Sequence, residues 1–202
     1  VQTVERRATK RIGEAAPRSG TPQAQHAHIL LAGGLKALQT LFPGFENDLA
    51  EAGAVKIRTG KDIRFERPGF DPFPIRDLGI DTFCMSRPLL EAVTRRRVQQ
   101  TANVNICMRS RVTGLVASRD AKRIEAVRYD SEDGPAVTQE SDLVVEASGR
   151  CGLTLKLLEE LSLERPEETE IGIDQAYAST IVERPIDHNA DWLGNIILPS
   201  AP

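Results

Sequence analysis

The stretch 142–152, DLVVEASGRCG, most constrains the fold, because an apolar run ends there abruptly on three small residues. Leu143, Val144 and Val145 are apolar without alternation, the pattern of a strand covered on both faces in a parallel sheet flanked by helices. Ala147, Ser148 and Gly149 then bring bare backbone to the carboxyl end of that strand, where open α/β sheets bind their ligands. The stretch allows two readings, a wall of a nucleotide-sized site or an ordinary turn from strand into helix.

A chain of 202 residues has room for one full domain or two incomplete ones, and its 40% hydrophobic content is that of a folded globular protein. Twenty-six basic and 29 acidic residues leave a net charge of -3, so bulk electrostatics favour neither nucleic acid nor an anionic membrane. No apolar run approaches the roughly 20 residues that span a bilayer, and the amino end has no secretory h-region, so a cytoplasmic location is expected. Cys84, Cys107 and Cys151 are odd in number and lack metal-ligand spacing, which argues against a disulfide framework and a zinc site. Each is expected to be a small buried or half-buried residue.

VQTVERR at the amino end reads as a β-branched strand ending in Glu5, with nothing before it to pair with, so the chain is expected to begin within a domain. In a dinucleotide-binding βαβ unit the second strand ends in an acid that bonds the ribose hydroxyls. Glu5 fits that role, and equally that of a solvated acid at a strand end. A polar loop over 8–25 follows. His28, Leu31, Leu35, Leu38 and Phe42 then recur near helical spacing until Pro43 and Gly44 break the run. Gly33 and Gly34 weaken that helix and leave room for a close backbone or a ligand. His26 and His28 near its start could donate to phosphate or flavin-like groups or fill a satisfied structural role, and two histidines are too few for a metal site.

From 54 to 84 the chain reads as short half-exposed antiparallel strands, VKIRTG and DIRFERPG, an excursion into a second layer. Ser86 caps a helix whose Leu90, Val93 and Val98 share a face, with Arg95, Arg96 and Arg97 expected mostly on the solvated side. Arg87 occupies the first turn, where it could help hold an anionic ligand or simply be solvated. Alternation at Val104, Ile106 and Met108 comes next. Residues 111–118, 124–129 and 136–140 read as a three-stranded meander with the charged turns RDAKR and DSEDG. Leu153, Leu157, Leu158 and Leu161 form the stripe of a helix that ends before Pro166.

The order VQTVERR, GTPQAQHAHILLAGGLKAL with LFPGF, SRPLLEAVTRRRV, RVTGLVAS, DLVVEASGR and AYAS resembles the FAD-dependent monooxygenase and oxidoreductase superfamily of p-hydroxybenzoate hydroxylase-like fold. These segments span nearly the whole chain, and their order is more specific than any one of them. The resemblance implies an α/β (α+β) fold: a Rossmann-like parallel FAD/NAD(P)-binding sheet with a three-stranded meander, plus part of an antiparallel substrate-domain sheet. Residues 1–168 would be a partial FAD-binding domain and 169–202 part of the substrate domain.

The same resemblance assigns roles. Glu5, with Arg6 beside it, would take the adenosine ribose of FAD, and the backbone around Arg111 and Val112 the adenine. Arg87 would lie near the pyrophosphate or ribityl chain. Ala147, Ser148 and Gly149 would pack where the FAD-binding turn approaches, and Gln25 and His26 would lie on the flavin side. No catalytic side chain is assigned, since the flavin carries the chemistry and protein groups place it. The implied activity is hydroxylation or epoxidation of a hydrophobic small molecule with NADPH or NADH as reductant. Within the fold, a reductase or dehydrogenase acting on polyprenyl-like chains, or a halogenase, stands as the alternative. A non-catalytic remnant that binds partners is a further one, whereas a plain NAD-binding dehydrogenase fits the order of elements less well.

Two departures bear on the cofactor. The chain has no G-x-G-x-x-G turn to cradle a pyrophosphate, and no later Gly-Asp segment to close the site. The isolated chain is therefore expected to be unstable or free of FAD. Tyr177, Phe83, Met85 and Trp192 could line an apolar pocket, but most are expected to be core.

Overall fold

The computed structural model describes residues 22–199 apart from 133, 150, 181, 184–186 and 188. The expected strand at VQTVERR, with Glu5 and Arg6, lies outside the described residues. After a short 3₁₀ turn at Pro22–Gln25 come β1 (Ala27–Leu30), α1 (Ala32–Leu41), α2 (Phe45–Ala52), β2 (Val55–Arg58), β3 (Ile63–Glu66), β4 (Asp81–Ser86) and α3 (Arg87–Gln99). They are followed by β5 (Ser110–Ala117), β6 (Ile124–Ser131), β7 (Gly134–Glu140), α4 (Gly152–Glu160) and β8 (Gly194–Ile197). The chain divides into two compact units, one of residues 1–104 with 176–202 and one of residues 105–175.

In the first unit β4 lies between β1 and β2, antiparallel to both. Its residues Thr82, Phe83, Cys84, Met85 and Ser86 are all buried, as a central strand requires. Phe45, Leu49, Phe83, Met85, Leu89 and Val93 bind α2, α3 and β4 into one core. Fully burying each such side chain stabilises the fold by roughly 1.5–3 kcal/mol relative to leaving it exposed. Phe83 and Met85 are thus core, as expected, whereas Tyr177 is exposed and Trp192 half-buried.

The helix expected from His28 onward begins at Ala32 instead, because residues 27–30 pair with β4 and place His28 opposite Met85. Gly34 lets α1 sit tightly on that strand, since a Cβ there would lie 3.0 Å from Leu30 Cδ1. The run ends at Pro43 and Gly44, and α2, which the periodicity did not announce, starts at once. Its Phe45, Leu49 and Ala52 form a buried stripe, and Glu46 and Asp48 complement the positive end of the helix.

Ser86 caps α3 as expected, accepting the Leu89 N–H at 3.3 Å, with Pro88 in the first turn. The arginine triplet is a correction. Arg97 pairs with the Asp48 carboxylate through Nε and donates to the Pro43 carbonyl at 3.1 Å, while Arg96 Nη2 lies 3.6 Å from Asp48. Two of the three arginines tie α3 to α2 and the turn before it.

β2 and β3 form at VKIRTG and DIRFERPG, β2 antiparallel to β4 as expected, but β3 departs from the expected antiparallel pairing and lies parallel to β8. Asp62 organises the turn between β2 and β3: its carboxylate accepts from the Arg58 backbone N–H at 2.7 Å and from its guanidinium at 2.6 and 2.9 Å. That guanidinium holds the Asp62 carboxyl below its ordinary value. The Asp62 carbonyl accepts from Leu193 N–H at 2.7 Å and so leads the chain into β8.

The second unit is the expected meander, β5–β6–β7, with α4 packed on β5 and Leu157 buried. Residues 104–108 form no strand, and their three alternating apolar side chains are exposed. The stretch 142–146 also departs from expectation. It enters no ladder, and Leu143 and Val145 are 80% and 78% exposed. A two-faced strand exists only with neighbours on both edges, and none of the described strands lies beside this one. The chain is mixed α/β with antiparallel sheets, and parallel pairing among the described residues is confined to β3 and β8. No described helix is long and apolar enough to cross a membrane. Of the cysteines, Cys84 is buried, but Cys107 and Cys151 are exposed, contrary to expectation.

Candidate functional site

In the first unit, antiparallel pairing brings two distant sequence segments to one corner. The 3₁₀ turn packs against α3, and Ala27 stands opposite Ser86, so residues 25–28 arrive beside the first turn of α3. The backbone of residues 25 and 26 thereby comes close to that of Arg87. The His26 N–H donates to the Gln23 carbonyl at 3.2 Å, and its Nδ1 lies 2.8 Å from Ser179 Oγ. Arg87 is half-exposed and donates through Nε to Glu91 at 3.0 Å. A guanidinium carries five N–H donors in a fork that matches an oxygen anion, and the bond to Glu91 uses Nε.

His28 belongs to the same corner electrostatically. Burial lowers its pKa from the ordinary 6.5, and the Arg87 charge lowers it further. Both effects disfavour the imidazolium, so the ring is neutral at neutral pH and Arg87 carries the positive charge. The arrangement can bind an anionic or carbonyl oxygen through one permanent cation and imidazole hydrogen bonds. Among the described residues no cluster of His, Cys, Asp and Glu could hold a metal ion.

Glu5 and Arg6 lie outside the described residues, and the other expected residues lie in the second unit. Arg111 and Val112 are exposed on β5, Val112 opposite Tyr129, and β5 is an edge strand whose outer backbone groups are unpaired by the described strands. Ala147, Ser148 and Gly149 form the turn into α4, with Gly149 at φ +101°, a conformation that suits glycine.

That turn is organised by Glu146, a residue the sequence reading passed over. Its carboxylate accepts from Ser148 Oγ at 2.6 Å, from the backbone N–H groups of Leu153 and Thr154 at 3.3 and 2.9 Å, and from the Thr154 hydroxyl. The Ser148 and Thr154 hydrogen bonds pull its pKa down from 4.5 to about 2. Glu146 therefore occupies the amino end of α4, the position an anionic ligand would take. The signal for it was present: an acid followed by Ser and by glycines, just ahead of a leucine stripe.

Two open clefts are present among the described residues. One of ≈ 310 Å³ in the second unit is lined by Leu115, Ile124, Val144, Glu146 and Leu157, among others. One of ≈ 390 Å³ in the first unit is lined by Leu35, Lys36, Glu46 and Asp81, among others. Neither includes His26, His28 or Arg87, so the chemically distinctive corner and these two clefts are separate features.

No protein-family model matches the chain. It is similar to Protein Rv3254 of Mycobacterium tuberculosis, with 32% identity over 186 residues that cover 81% of this chain and 36% of that protein. The chain thus spans about a third of the length of the curated relative it matches.

Proposed function

We propose that the chain is part of an FAD-dependent oxidoreductase, a monooxygenase that hydroxylates or epoxidises a hydrophobic small molecule. The observation that carries this reading is the corner at which Arg87, in the first turn of α3, lies beside the start of β1 and acts electrostatically on His28. A permanent cation beside a neutral imidazole suits a phosphate-bearing cofactor. The order of segments, which resembles that of the flavoprotein superfamily, supports the same reading. When bound, FAD would supply the electrons that activate oxygen, and NADPH or NADH would replenish them.

The residues of the chain have binding and placing roles. Arg87 would meet an anionic oxygen of the cofactor, and neutral His28 beside it would donate without adding charge. The stretch 142–146 would serve as a strand of a parallel sheet in the longer protein, where neighbours on both edges would cover Leu143 and Val145.

The test is turnover by the full-length protein with and without oxygen. A monooxygenase oxidises NAD(P)H and places one atom of labelled oxygen in a hydrophobic product only when oxygen is present. Substrate reduction with oxygen excluded would assign a reductase of the same fold instead. Absence of flavin from the full-length protein would remove both.

A further inference from the structure

We propose that Ser179 is a positioning residue for His26: its hydroxyl donates to Nδ1, the neutral ring carries its proton on Nε2, and Nε2–H is offered to an oxygen of the ligand at the Arg87 corner. The choice of ligand rests on the flavoprotein reading above, whereas the fixing of the ring does not.

Ser179 Oγ lies 2.8 Å from His26 Nδ1 across 153 residues of sequence, within the first unit. Residues 176–180 enter no strand, and Tyr177 among them is 73% exposed, so sheet pairing does not account for their position. The hydrogen bond to His26 is a specific tie between this segment and the start of β1. A neutral imidazole has one donor and one acceptor, and a serine hydroxyl rotates to serve either. Which nitrogen bears the proton is thus set by what the other nitrogen meets. The ligand expected beside Arg87 is an oxygen acceptor, and it is met by a donor only when Ser179 occupies Nδ1 as the donor. Arg87 would then supply charge and His26 direction. The same hydroxyl ties recognition at this corner to segment 176–180, which a ligand-independent structural serine would not do.

Long-range ¹H–¹⁵N spectra of the full chain with ¹⁵N-labelled histidine, recorded at about pH 8, above the ordinary histidine value, read the ring directly. The chain has three histidines, and His26→Gln identifies the signals of interest. The expected result is the Nε2–H tautomer with an Nδ1 resonance shifted upfield by an accepted hydrogen bond. That shift is lost in Ser179→Ala and retained in Ser179→Thr. An Nδ1–H tautomer, or an Nδ1 resonance unmoved by Ser179→Ala, overturns the positioning role.

FAD titration of the full-length protein then reads the ligand. Ser179→Ala is expected to weaken binding about five-fold, the worth of one hydrogen bond, and Ser179→Thr to restore it. Unchanged affinity in Ser179→Ala overturns the ligand half of the proposal. A wild-type protein with no affinity for FAD removes the flavoprotein reading instead, while the spectra still decide the ring.

Discussion

His28 shows how one residue is set by two neighbours of unequal weight. Burial is the larger cause of its lowered pKa and the Arg87 charge the smaller. Arg87→Ala is therefore expected to raise the His28 value only part of the way to 6.5 in an NMR titration. Because the folded value lies below the ordinary one, the stability His28 contributes is full above about pH 6.5 and is lost as pH falls through the lowered value. Glu146 titrates in another window. Its carboxyl is lowered from 4.5 to about 2, so the stability it contributes is present above 4.5 and lost as pH falls through about 2. Glu146→Ala should speed amide exchange at Leu153 and Thr154, the two N–H groups it accepts from, while amides in β6 stay unchanged.

At the scale of elements, those coded by local chemistry were legible in the sequence and those coded by neighbours were not. Helix α3 announced itself through Ser86, Pro88 and its apolar spacing, and Ser86→Ala should cost about 1 kcal/mol by chemical denaturation, the usual loss of a cap. The meander announced itself through RDAKR and DSEDG, turns that need no distant partner. Helix α2 was missed because it has 8 residues and follows Pro43 and Gly44, which read as an end rather than a beginning. Residues 27–30 were read as helix because their spacing continues into α1, whereas pairing with β4 decides them. The stretch 142–146 erred the other way. Its apolar run encodes a strand, but a strand forms only beside another. Its amides at Leu143–Val145 should therefore exchange much faster in this chain than that of Val127, which lies between two paired strands. In the full-length protein the flavoprotein reading expects those amides to become protected. Of the candidate site, Gln25, His26 and Arg87 were named from the sequence, but their meeting with His28 and Ser179 depends on antiparallel register and on a contact across the chain.

At the scale of the whole molecule, the chain carries a well-built core in its first unit together with much apolar surface, including Phe70, Ile75, Ile171 and Ile173. It covers 36% of the curated relative. The proposed function has the corner at Arg87 and His28 serve a flavin cofactor. The most direct measurement is to purify the full-length protein, denature it, and identify and quantify the released cofactor by absorbance and mass. The account predicts stoichiometric FAD, with Arg87→Ala releasing less. A protein that is colourless as purified and takes up no FAD when it is supplied would contradict it.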